Sequence, residues 1–347
     1  MKTTGLILSS LVLLGAAANL QSQEWLDRLP TSLLPVNAPS ERVSGMPGAL
    51  RIEQSSCNSL PTEGVRRRIV NTAVQEWAFF GFGVQDQTVE RERGGWRRGR
   101  GIGPDLLTDD LNQRSDEDLL PIALSVGGYW SATPDGRWML ERQNETWQGE
   151  WGYRSDWRDF WSAAFISWVM CESGLGQKDQ FERSIAHHDY IDQAIRARDG
   201  EAPNAAYVAY NPGEAPLLVG DMLCRASRPE YADIEARRPH LDEGARTHCD
   251  IVVKLDEEAG EILAIGGNVS DSVRLKRLPG AVGSSGNFEP LPYNGRRIFA
   301  HLKLRVDEPI ETNALDNSPT MLAASCVLPI GMQIAAAGVP VPSNVSC

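Results

Sequence analysis

The chain has 347 residues, enough for one large domain with appendages or two small ones. Hydrophobic residues make up 41% and charged residues 23%, a globular balance that excludes a wholly disordered chain. Thirty-four Lys plus Arg against 46 Asp plus Glu give a net charge of −12. That acidity argues against nucleic acid as a partner, because phosphate binding draws on a basic surplus.

At the N-terminus, Lys2 is followed by the apolar run Gly5–Ala18, which closes on the small residues Ala16, Ala17 and Ala18. This pattern predicts a secretory signal peptide over residues 1–22, and an exported protein, periplasmic or secreted. The run is shorter than the ~20 apolar residues of a spanning helix, so no stable membrane insertion is expected. All six cysteines (Cys57, Cys171, Cys224, Cys249, Cys326, Cys347) follow the leader, which suits disulfides in an oxidising compartment. Cys326 with Cys347 would staple the tail, and Cys224 with Cys249 would bridge neighbouring strands; the connectivity stays open.

Residues 23–56 mix Pro, Ser and Gly and read as a linker or extended arm. Ile69, Ala73, Trp77 and Phe80 recur at helical spacing and predict a helix over 65–81. The stretch 91–103 is rich in Arg and Gly but lacks the Gly-Lys-Ser/Thr of a phosphate loop, and reads as a solvated loop. A second helix is predicted over 156–174, with Trp161, Phe165, Trp168 and Val169 on one stripe and Gly174 as its stop. A third runs from a Ser184 cap to about Arg198, with His187, Tyr190, Ile191, Ala194 and Ile195 on one face.

Beyond Pro216 the pattern changes to short β-like runs over 217–225, 248–255, 261–265, 269–278 and 296–306. Helices followed by an antiparallel meander predict an α+β fold. The domain is placed at 57–306, with 307–347 as a C-terminal tail.

Five histidines are present: His187, His188, His240, His248 and His301. His248 opens a strand on its polar parity, together with Asp250, so both point to a cleft or to solvent. His301, in a Lys/Arg strand, reads as a surface residue. The neighbours His187 and His188 point about 100° apart on a helix and cannot easily share a metal. No cofactor or metal site is expected.

Ser162 falls in the first turn of the Trp-rich helix, where free N–H groups and the helix dipole favour negative charge. A nucleophile gains from that position, although serine is also common near helix starts. Asn268 follows two glycines and suits either a polar site or a turn that needs positive φ. Among the seven Trp from Trp130 to Trp168, Trp161 and Trp168 lie on the helix stripe and read as core. Trp147 and Trp151 lie in a polar run and read as ligand-facing.

Trp161–Met170 (WSAAFISWVM), Ala186–Ile191 (AHHDYI), Gly220–Cys224 (GDMLC), His248–Val253 (HCDIVV) and Ile265–Val269 (IGGNV) follow in order. This set resembles the uncharacterised bacterial family catalogued as domain of unknown function 2272, from about residue 65 to 280. That family in turn resembles the cell-wall amidases and peptidases of the CHAP and NlpC type, which implies a papain-like fold. The resemblance implies a triad of Ser162, His248 and Asn268, with serine standing where those enzymes carry cysteine. Asp250 is either a third catalytic residue or a structural anion, and His187, Tyr190, Asp250, Trp147 and Trp151 would border the substrate. The implied function is an exported peptidoglycan hydrolase that cleaves an amide or peptide bond of murein stem peptides. The alternative is an inactive murein-binding or regulatory module of the same fold. A secreted antibacterial effector would share the hydrolase chemistry and differ only in its target cell; peptidoglycan or muropeptides are the implied partners, and a regulatory or immunity partner stays open.

Overall fold

A computed structural model describes residues 27–89, 116–152 and 157–327, with positions 331, 334, 335, 338 and 339. The leader and the 91–103 loop lie outside the described residues.

The stretch expected to be a linker is, from residue 27, a docked arm. It forms a two-stranded ladder of β1 (Val43–Ser44) and β2 (Arg51–Ile52). Charge pins it to the core: the Arg28 guanidinium spans both oxygens of Glu76 at 2.6 and 2.8 Å. Arg42 is fully buried, donating to Glu172 Oε1 at 2.7 Å and to Ser131 Oγ at 2.8 Å. A disulfide from Cys57 to Cys171 fastens the end of the arm. Pro and Gly density therefore marked irregular backbone, but not a solvated one.

Helix α1 (Val65–Phe79) lies within the predicted bounds and buries Ile69, Ala73 and Trp77. Its first N–H groups are satisfied from far along the chain, since the Asp307 carboxylate accepts from Gly64 N at 3.2 Å and Arg66 N at 2.9 Å. The strand β3 (Val84–Asp86) follows. Two further helices, α2 (Asp116–Ser131) and α3 (Gly136–Trp147), carry no signal that the sequence reading used. Pro121 and the Gly127–Gly128 pair inside α2 read as breakers, yet the glycine serves packing. A Cβ on Gly128 would lie 1.8 Å from the Pro39 carbonyl oxygen, so the arm crosses α2 only where no side chain stands.

Helix α4 (Ser162–Glu172) is buried on every side, as an interior helix must be when it is apolar all round. Tyr129 stacks on Trp161 at 5.8 Å and meets Phe165 edge-on at 5.5 Å. The helix ends at Gly174, whose φ of +101° suits the left-handed stop. Helix α5 (His187–Arg198) begins three residues after Ser184. Ser184 is not its cap: the Ser184 hydroxyl accepts from Ala186 N at 3.0 Å and donates to Asp189, and so shapes the preceding turn.

The remaining elements are β4 (Tyr207–Tyr210), β5 (Met222–Arg228), α6 (Ile234–Arg237), β6 (Arg246–Asp256), β7 (Glu261–Gly266), β8 (Arg274–Val282), β9 (Phe288–Pro290), β10 (Ala300–Leu304) and α7 (Pro319–Ser325). They build one eight-stranded sheet, ordered β3-β8-β7-β6-β5-β10-β4, with β9 paired to β8. Strands β5 to β8 form the expected antiparallel meander, and only β3 joins in parallel. Helix α4 packs on β6 and β7, so the fold is α+β. Cys224 and Cys249 face each other across β5 and β6 and form a disulfide, the strand bridge the sequence suggested. Cys326 is also disulfide-bonded, whereas Cys347 lies outside the described residues.

Two expectations about side chains are corrected. His301 is not a surface residue: it is 1% exposed and pairs with Asp221 Oδ2 at 2.8 Å. Asp221 also holds Arg66 and the Leu304 N–H, so the Gly220-Asp221 turn ties α1 to β10. Trp147 is not ligand-facing: it is 4% exposed and meets Trp157 edge-on at 5.5 Å, because α3 turns the polar run into one buried stripe.

Candidate active site

Ser162 is the first residue of α4, with Trp161 as the N-cap. No side chain caps this end, so the leading N–H groups of the helix are without intrahelical partners. Ser162 is 8% exposed, and its hydroxyl lies 2.6 Å from His187 Nε2. The partner of Ser162 is therefore His187 and not His248. His187 opens α5 and turns inward toward the start of α4, because its helix buries that face.

The other ring nitrogen of His187 is also engaged. The Tyr190 hydroxyl, one turn along α5, lies in hydrogen-bond contact with Nδ1, and the backbone N–H of Cys249 donates to it at 3.3 Å. Burial pushes the Tyr190 hydroxyl well above its usual pKa, so it stays protonated. Burial, reinforced by His248 nearby, holds His187 well below the ordinary histidine range, so its imidazole is neutral at pH 7.

His248 stands beside this pair, its ring centroid 5.1 Å from that of His187. Its Nε2 points along the sheet, 2.9 Å from Asp250 Oδ1 and 2.9 Å from Lys276 Nζ. Lys276 reaches both Asp250 oxygens at 2.8 Å. Asp250 lies on β6 and Lys276 on β8, with β7 between them. A glycine makes this contact possible: a Cβ on Gly266 would lie 1.9 Å from Asp250 Oδ1 and 3.1 Å from His248 Nε2.

Burial lowers His248 to about 4, with Asp250 opposing. Burial likewise lowers Lys276 to about 8, again against the pull of Asp250. For Asp250, burial would raise the carboxyl, but His248 and Lys276 outweigh it and hold it far below the carboxylate range. At neutral pH the group is thus a lysine ammonium and an aspartate carboxylate around a neutral imidazole.

Asn268 does not orient His248. It sits at φ 54° in the turn between β7 and β8, where its amide accepts from Trp161 N–H at 3.2 Å and donates to Asp271 Oδ1 at 3.1 Å. It therefore fixes the residue before Ser162. Trp151 is 71% exposed. The residues that the structure assembles are Ser162, His187, Tyr190, His248 and Asp250, and Lys276 was missed. In sequence Lys276 alternates with Leu275 like any strand residue facing solvent, and only the gap left by Gly266 in β7 brings it inward.

Chemically, a hydroxyl against a neutral imidazole at a helix N-terminus can serve acyl transfer. Residues 121–291 match the model of a family described as an uncharacterized protein conserved in bacteria (DUF2272), which supports the family resemblance drawn from the sequence. No curated protein and no solved structure matched the chain.

Proposed function

We propose that this chain, which carries the DUF2272 pattern over residues 121–291, is an exported peptidoglycan hydrolase that cleaves an amide or peptide bond of murein stem peptides. The observation that carries the reading is the Ser162 Oγ to His187 Nε2 contact of 2.6 Å at the start of α4. His187 Nε2 takes the hydroxyl proton as the oxygen attacks the acyl carbon. The same nitrogen returns the proton to the leaving amine, and water then releases the acyl group from Ser162. The first N–H groups of α4 receive the charge that develops on the carbonyl oxygen. Tyr190 orients the ring when its oxygen accepts from Nδ1–H, the tautomer in which the 3.3 Å Cys249 N–H contact to Nδ1 is given up and Nε2 carries the lone pair. Export is part of the proposal, and disulfides at Cys57–Cys171 and Cys224–Cys249 are compatible with it. A papain-like arrangement is likewise proposed.

One observation favours a second reading, an inactive murein-binding module. Tyr190 O–H and Cys249 N–H both lie against His187 Nδ1. If both donate, the proton sits on Nε2, and Ser162 is held as an acceptor without a base. Digestion of purified muropeptides, with products identified by mass spectrometry, separates the two. The hydrolase yields new peptide termini that Ser162→Ala does not, and the module binds without cleaving.

A further inference from the structure

We infer that Arg225 is the anchor for a carboxylate on the ligand, so that the site takes an acidic peptide. This deepens the hydrolase reading and rests on it for the position of that carboxylate beside the scissile bond. Arg225 on β5 is the register partner of His248 on β6, so the two side chains leave the same face of the sheet as neighbours. Among the described residues no carboxylate pairs with Arg225, and its Nε is buried without a partner.

Arg225 is half-buried, and the fully buried guanidiniums differ from it in each holding a carboxylate. Arg42 holds Glu172, Arg66 holds Asp221 and Arg237 holds Asp192, at 2.7, 2.9 and 2.7 Å. At the site the carboxylate of Asp250 is already committed to Lys276. Arg225 therefore adds positive charge that no carboxylate among the described residues pairs with. It is close enough to disfavour protonation of His187, His248 and Lys276, and Arg296 acts on Lys276 in the same sense. A chain of net charge −12 thus presents a cationic group beside His248 and within electrostatic reach of His187. A guanidinium offers two parallel N–H donors to a carboxylate, which gives position as well as affinity. Peptides that end in, or carry, a free carboxylate next to the cleaved amide fit that fork.

The test is calorimetric titration of a murein stem peptide, as the free acid and as the carboxamide, into full-length protein carrying Ser162→Ala to block turnover. The acid should bind at least about tenfold tighter than the amide, the loss that one charge-assisted hydrogen bond implies. Adding Arg225→Gln should bring that ratio close to one, and Arg225→Lys should restore part of it. If Arg225→Gln does not fold, the Lys variant decides, because losing the fork lowers the ratio while the charge remains. Equal affinity for the two forms, or a ratio unchanged by either variant, overturns the assignment. Turnover by the wild type is scored separately. No cleavage, with the ratio behaving as stated, removes the hydrolase reading and keeps Arg225 as the anchor. Cleavage with an insensitive ratio does the reverse.

Discussion

The Ser162 hydroxyl and the His187 imidazole, 25 residues apart in sequence, meet at 2.6 Å where the starts of α4 and α5 converge. Each side chain is near the first turn of its helix, so both are set by backbone that the core packing already fixes. If this pair is the nucleophile and base, Ser162→Ala and His187→Ala should each reduce muropeptide cleavage by about 10²–10⁴-fold. The double variant should be little worse than either single one, because the two act as a unit. His248→Ala should cost less, since its Nε2 serves Asp250 and Lys276. Product release followed by mass spectrometry gives all four rates. Losses that multiply in the double variant would assign the two residues separate roles.

The tautomer of His187 rests on the two partners of its Nδ1, the Tyr190 hydroxyl and the Cys249 N–H. In the catalytic arrangement the Tyr190 oxygen accepts from Nδ1–H, and Tyr190→Phe removes that acceptor. Among the described residues Cys249 N–H is then the one remaining partner of Nδ1 and donates to it, which drives the proton to Nε2 and leaves Ser162 without a base. We expect kcat to fall about tenfold or more while KM changes little, the mark of an interaction used in the transition state. Unchanged kcat would mean that Tyr190 only fills space. A full progress curve for each protein separates the two constants.

The meander and α1 were legible because each rests on periodicity: two for the strands, and close to four for Ile69, Ala73, Trp77 and Phe80. Helix α4 was legible for the same reason, and its first turn pointed to Ser162. Helix α2 was not, since Pro121, Gly127 and Gly128 carry a breaker signal whose packing purpose depends on Pro39, far away in sequence. The site was half legible. Ser162, His187, Tyr190, His248 and Asp250 are all residues whose chemistry draws attention, but periodicity fixes faces and not partners. Sequence could not say that His187 would reach Ser162 before His248 did. Lys276 stayed hidden because its contact exists only where Gly266 leaves room on the strand between.

The buried histidines predict how stability depends on pH. Both have folded-state values below the unfolded value of about 6.5, with His248 at about 4. Between those values the unfolded chain binds more protons than the folded one, so stability falls as pH drops from about 6.5 toward 4. Each histidine contributes a slope of up to about 1.4 kcal/mol per pH unit. Asp250, whose folded value is depressed, adds a further loss below about pH 4. Chemical denaturation at pH 7, 6 and 5 should therefore show a declining midpoint. His248→Gln should flatten that decline, because a group that cannot titrate leaves the linkage. An unaltered slope in the variant would place the proton uptake elsewhere.

Gly266 gives the sharpest steric prediction. Its Cβ position lies 1.9 Å from Asp250 Oδ1, far inside contact distance, and 3.1 Å from His248 Nε2. Its backbone is not left-handed, so alanine meets no conformational penalty there, and the whole effect of Gly266→Ala must come from the methyl group. Asp250 cannot move aside freely, because it is 1% exposed and tied to Lys276 across β7. Forcing a methyl into such a site costs about 1–3 kcal/mol. More tellingly, it separates Asp250 from Lys276 and leaves two buried charges poorly matched, a state that costs more than removing both. Gly266→Ala should therefore lower the melting temperature markedly. Combining it with Asp250→Ala and Lys276→Met should recover part of the loss, since the triple variant has neither the clashing carboxylate nor a buried charge to desolvate. If the triple variant melts no higher than Gly266→Ala alone, the damage lies in the β7 backbone and not in the ion pair that crosses it.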